Sequence, residues 1–165
     1  MRRLILIAHD IRSTHNVGSL LRTADGLGVE KVYLTGYTPY PAGASDDDRL
    51  PHIAQKLDKQ IAKTALGAEQ TTLWQHHIDI LSLLRELKTA GFTLVALEQH
   101  QNAISLPNYQ PPAKLALLLG REVEGIDSIL FSEVDQVIEI PMLGSKESYN
   151  VVQAAAMALY HCRFR

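Results

Sequence analysis

Apolar residues along this 165-residue chain come in two arrangements that alternate. Short, nearly continuous runs occupy Leu4–Ala8, Lys31–Gly36 (KVYLTG), Phe92–Leu97 (FTLVAL), Lys114–Gly120 (KLALLLG) and Gln136–Ile140 (QVIEI). Runs of this length and composition predict strands buried on both faces. Between them the spacing turns helical. Val17, Leu20, Leu21 and Ala24 predict a helix that Asn16 can cap and that Gly26 and Gly28 end. Ile53, Leu57, Ile61 and Ala65 predict a second, closed by Gly67; Ile80, Leu83, Leu84 and Leu87 predict a third, ended by Gly91. Thr71–Trp74 reads as a further short strand, and residues 36–51 as a long loop holding Asp46, Asp47 and Asp48.

The C-terminal run has its own pattern. The strand containing Val137, Ile138 and Ile140 halts at Pro141, which has no backbone donor. A polar loop follows, with Gly144 available for a conformation that other residues resist. Then Val151–Leu159 is small and apolar on nearly every side, capped by Ser148 or Asn150. A helix without a polar face is expected to be covered all round.

Strands alternating with helices imply an α/β fold: a mainly parallel sheet with right-handed crossovers and helices on both faces. Ligands of such sheets sit beyond the carboxyl ends of the strands. Three loops leave strand ends there, at Glu98–Leu106, Arg121–Ile126 and Met142–Tyr149.

Composition narrows the class. A single domain over residues 1–165 is the simplest organisation for this length. No apolar run approaches the ~20 residues of a membrane span, and the N-terminal MRRLILIAHDIR runs into charge rather than a cleavage site, so a cytoplasmic protein is expected. The lone Cys162 excludes an internal disulfide and a cysteine-based zinc cluster. A net charge of −2 argues against broad nonspecific nucleic-acid binding and leaves room for one local basic groove. No metal is expected: Asp46–Asp48 read as solvated, and adjacent His76 and His77 point apart.

Three stretches carry candidate chemistry. In HNVGSLLRTADGLG, Asn16 and Gly18 could present backbone amides to an anion, with Arg22 on the polar side of the helix; the alternative is a capping Asn and a surface Arg paired with Asp25. LGREVEGID follows a buried strand and offers Glu122 and Glu124 between glycines. It lacks the spacing of a dinucleotide fingerprint and the Lys-Ser/Thr of a phosphate loop, so a solvated turn with Gly125 at positive φ stays open. In PMLGSKESYN, Ser148 and Asn150 are polar groups that serve either as caps or as a site.

Together and in this order, the stretches resemble the SpoU (TrmH-like) family of RNA ribose 2′-O-methyltransferases, within the SPOUT superfamily. The first motif matches at Asn16, Gly18, Arg22, Thr23 and Ala24; the second at Gly120, Glu122 and Gly125; the third at Ile140, Pro141, Met142, Gly144, Ser148, Asn150 and Val151. The resemblance runs from Ile7 to Tyr160. It implies a C-terminal trefoil knot, a homodimer, and S-adenosylmethionine held bent in the knot by Leu97, Glu98, Gly120, Ile140, Met142, Ser148 and Tyr149. Family members usually carry Leu where this chain has Tyr149.

The implied reaction is methylation of a ribose 2′-hydroxyl in a structured tRNA or rRNA. Arg22 is implied at the catalytic centre, supplied across the dimer, with Asn16, Glu122, Ser148 and Asn150 positioning it, the ribose and the cofactor. Many relatives carry an RNA-binding extension; none is expected here, leaving recognition to the dimer surface with Arg2, Arg3, Arg12, Arg121, Lys146, Arg163 and Arg165. Two competing readings are a non-catalytic RNA-binding or assembly factor that keeps the fold, and a nucleotide-dependent oxidoreductase. The missing G-x-G-x-x-G counts against the second.

Overall fold

Each apolar run folds as a strand: β1 (Arg3–His9), β2 (Lys31–Thr35), β4 (Thr93–Leu97), β6 (Lys114–Leu119) and β7 (Gln136–Glu139). Two further strands complete the sheet, β3 (Trp74–His77) and the two-residue β5 (Ile104–Ser105). The structure, a computed structural model, describes residues 1–44 and 47–165; Asp46 of the acidic cluster lies outside the described residues. The strand order is β3-β2-β1-β6-β4-β7-β5, and every pair is parallel. All carboxyl ends therefore meet one edge.

Side chains alternate between two cores. Leu4, Leu6 and Ala8 of β1 and Leu115, Leu117 and Leu119 of β6 face one side, where they meet α1 (Thr14–Gly26), α2 (Pro51–Ala65) and α6 (Val151–Phe164). Ile5, Ile7, Ala116 and Leu118 face the other, against α4 (Ile80–Thr89) and α5 (Ser128–Phe131). Each fully buried leucine here contributes about 1.5–3 kcal/mol relative to exposure. Two filled faces explain why the strands read as unbroken apolar runs.

Several local expectations need correction. Ser13, not Asn16, caps α1: its hydroxyl accepts from the Asn16 N–H at 3.2 Å. Gly18 is not an anion-binding amide at a helix start. It is buried inside α1, where an added Cβ would lie 2.3 Å from the Ile61 carbonyl oxygen of α2. Thr71 closes the short α3 (Ala68–Thr71), so the strand starts later, at Trp74. Gly144 has no left-handed φ and open space where a Cβ would stand. Asp47 is not simply solvated but pairs with Arg49 at 2.6 Å, which holds its carboxyl down at about 2.

The last helix differs as well. Asn150 caps it, accepting from the Val152 N–H at 2.9 Å, while Ser148 does not. Ala155, Ala158, Leu159 and Cys162 are buried against the sheet, but Gln153, Tyr160 and Phe164 are exposed. Within one chain α6 is covered on one side only. Among the described residues no helix is long and apolar enough to cross a membrane.

Candidate active site

The loops after β4, β6 and β7 enclose a cleft of about 300 Å³ at the carboxyl edge of the sheet. A volume of this order lies at the lower end for small-molecule sites. Leu97, Leu119, Ile140, Met142 and Val151 give it apolar surface, and Glu98, Gly120, Glu122, Ser148 and Tyr149 line it too. Every residue expected to hold the cofactor thus borders one cleft.

Close backbone approach shapes its floor. Gly120 leaves β6 where a Cβ would fall 2.6 Å from the Gly125 carbonyl carbon, and Arg121 and Gly125 then exchange backbone hydrogen bonds at 3.1 Å. Gly125 has φ +71, the left-handed value expected of its turn. A Cβ there would lie 2.3 Å from Glu98 Oε2. Glu98 is occupied structurally, accepting from the Gln99 N–H at 2.9 Å and the Ile126 N–H at 3.1 Å. Its carboxylate clasps the β4 and β6 loops together. Gln99, which sequence reasoning did not single out, ties the third loop by donating to the Glu147 carbonyl at 2.5 Å.

Glu122 connects this cleft to α1. One oxygen accepts from the Ser13 N–H at 3.2 Å and Asn16 Nδ2 at 3.0 Å; the other accepts from the Arg12 N–H at 3.1 Å. Burial works against the charge, but these donors outweigh it and hold the carboxyl below its usual range. Asn150 Nδ2 in turn donates to Asn16 Oδ1 at 3.4 Å. Asn16, Glu122 and Asn150, one from each motif, form a continuous chain of hydrogen bonds.

Arg22 is not in this cleft. It is exposed on α1, without a hydrogen-bond or ion-pair partner among the described residues. Asp25, its suggested surface partner, instead accepts from Thr71 at 2.9 Å.

Five of the six arginines assigned to RNA contact divide in two. Arg163 is buried and donates to the carbonyls of Arg2, Leu27 and Gly28. Arg3 pairs with Glu30 at 2.6 Å, and Arg2 donates to the Pro111 carbonyl. These three knit the amino edge, opposite the cleft. Arg12 and Arg121 lie at the carboxyl edge, paired with Glu124 and Asp127. Asp127 also approaches His9 and Asp10, a grouping compact enough for a cation, and the Arg121 guanidinium pairs with its Asp127 carboxylate. Burial lowers the His9 pKa, favouring a neutral ring, and its Nδ1 lies 2.9 Å from Thr35 Oγ1.

The sequence profile described as the SpoU rRNA Methylase family matches residues 48–160. The 23S rRNA (guanosine-2′-O-)-methyltransferase RlmB of Bordetella pertussis is 32% identical over 157 residues, 95% of this chain. The chain spans only 58% of that relative's length. Among solved structures, an AdoMet-bound rRNA methyltransferase from Sinorhizobium meliloti superposes with TM-score 0.81 at 20% identity, over 98% of this chain and 56% of that one. A protein solved in a study of 2-OH methylation of C/U34 on tRNA superposes with TM-score 0.78 at 20% identity, over 98% of this chain and 94% of that one. The two superpositions show a shared fold, and the profile and the sequence relative show more: the chain belongs to the SpoU rRNA Methylase family.

Proposed function

We propose that the chain is an S-adenosylmethionine-dependent RNA ribose 2′-O-methyltransferase acting on tRNA or rRNA as a homodimer. The observation that carries this reading is the Asn150–Asn16–Glu122 chain of hydrogen bonds at the mouth of the cleft. It joins all three motif segments around one cavity. The cavity also fits the cofactor, offering apolar walls for a flat base and loop backbone for polar groups. Bound there, S-adenosylmethionine supplies a methyl group on a sulfonium for in-line displacement.

The chain's own residues then have distinct tasks. The loops clasped by Glu98 and Gln99 hold the donor in place. Alignment of donor and acceptor lowers the barrier by removing their freedom to misorient. Glu122, kept ionised by three donors, is a weak base and positions the Arg12–Asn16 segment. A guanidinium is a poor general base, so Arg22 orients the target phosphate and stabilises the forming alkoxide.

Because Arg22 lies outside its own chain's cleft, it serves the cleft of a second copy. The exposed Tyr160 and Phe164, with ring centroids 4.8 Å apart, give α6 an apolar face for that contact. The return of α6 from β7 to the middle of the sheet supports a knotted C-terminal path. Ser148, exposed at the cleft rim without a capping duty, is free to meet the ribose or cofactor.

Incubation with S-adenosylmethionine labelled on its methyl group, and with purified tRNA and rRNA, tests the proposal. Incorporation should survive in nucleotides resistant to alkaline hydrolysis, the mark of a blocked 2′-hydroxyl. Arg22→Ala should lower the rate by about 10²-fold or more, the scale of losing one group that stabilises developing charge. Transfer to neither RNA would contradict the reading.

A further inference from the structure

A second cleft, of about 340 Å³, opens at the carboxyl ends of β1 and β2 beside the first. Its lining includes Arg12, Tyr37, Tyr40 and Arg49. Its back wall is rigid. The Arg49 guanidinium lies 3.5 Å from the centroid of the buried Tyr40 ring, whose other contacts include a stack with His76 at 4.0 Å. Arg49 is itself fixed by Asp47 and by the carbonyls of Tyr40 and Pro41.

The front is different. Tyr37 leaves 52% of its surface in solvent although its backbone is pinned. Its N–H donates to Asp10 Oδ1 at 3.0 Å; next to it Gly36 has φ +63, where a Cβ would clash with the same carboxylate. Thr38 locks the turn from the other side, donating to the Ala8 carbonyl at 2.9 Å and accepting from the Ile11 N–H at 3.0 Å. The fold therefore holds an aromatic ring out to water on a braced turn. Beside it, the Arg12 guanidinium pairs with Glu124 at 2.9 Å and leaves 61% of its side chain exposed. The Arg12 N–H donates to Glu122, which lines the first cleft, so a hydrogen bond joins the linings of the two clefts.

A braced, exposed ring flanked by guanidinium groups suits the π-face of an unpaired base and the phosphate next to it. We propose that this second cleft receives an unpaired nucleotide of the RNA, flanking the one whose ribose enters the first cleft, with its base on Tyr37 and its phosphate on Arg12. The inference rests on the RNA methyltransferase reading above. It makes the protein select looped RNA over duplex.

Fluorescence anisotropy with a labelled RNA stem-loop, and with a fully paired duplex of the same stem, tests this on the full chain. Calorimetry with S-adenosylhomocysteine runs alongside. Wild type should prefer the stem-loop. Tyr37→Ala should weaken stem-loop binding by about 5- to 150-fold, the effect of losing one stacked base, and leave the duplex unchanged. Tyr37→Phe, which keeps the ring and loses the hydroxyl, should retain stem-loop affinity. Unchanged S-adenosylhomocysteine binding in both variants reports an intact fold. Wild-type stem-loop affinity in Tyr37→Ala, or an equal loss on both RNAs, would overturn the proposal. Dissociation of the variant to monomers in sedimentation would also overturn it, assigning the cleft to a second copy. Loss of stem-loop selectivity in Tyr37→Ala beside a wild type that ignores S-adenosylhomocysteine would uphold the cleft and remove the methyltransferase reading instead.

Discussion

Glu122 receives N–H groups from Arg12, Ser13 and Asn16, residues more than a hundred positions away. The sequence marked it as a polar group at a strand's end, and the family resemblance linked it to Asn16. Its backbone partners Arg12 and Ser13 carry no local signal, because tertiary folding alone brings them there. Gln99 and Thr38 were equally silent for that reason. The lone cysteine shows the reverse case, where a residue's chemistry follows from its surroundings. Cys162 is fully buried, and that burial pushes its thiol up to about 12. The thiolate is the reactive form. A disulfide reagent at about pH 8 should therefore label it only after unfolding in guanidinium chloride. Fast labelling of the native protein would show that α6 is not seated as described.

At the scale of elements, burial decided what could be foreseen. Strands filled on both faces announce themselves as apolar runs, and helices with one buried stripe as a four-residue repeat. The two-residue β5 and the four-residue α3 and α5 are too short for any period, and the chain around Thr71 looked extended because its hydroxyl residues are β-branched. Gly18 was legible as a motif position and misread as to purpose. Its Cβ would meet the Ile61 carbonyl oxygen and Thr64 Oγ1, both at 2.3 Å, so the glycine exists to let α1 and α2 touch. Gly18→Ala should force those helices apart. Overpacking of this kind costs about 1–3 kcal/mol, and for a domain of this size each kcal/mol lowers Tm by about 2–4 °C. A thermal melt by circular dichroism checks it; an unchanged Tm would mean that the contact yields easily.

For the molecule as a whole, the parallel α/β class followed from alternation, while strand order did not. The chain builds β1, β2 and β3 outward, then returns to the other side of β1 for the remaining strands. Nothing in a local pattern records which neighbour a strand chooses. Charge was also ambiguous until placed: Arg2, Arg3 and Arg163 serve the amino edge, and Arg22 projects from α1 without a partner among the described residues. With Arg22 outside its own cleft, the proposed enzyme would have its cofactor cavity complete in one chain and its catalytic arginine lent by the next.

Titration calorimetry of S-adenosylhomocysteine into the wild type and into Arg22→Ala tests it most directly. Both should bind, with affinities within about twofold, since Arg22 lines no part of its own chain's cavity and is assigned in its partner's to the RNA phosphate and forming alkoxide rather than to the cofactor. No heat with the folded wild type would contradict the cofactor site, and loss of binding in Arg22→Ala alone would contradict the division of labour between cavity and arginine.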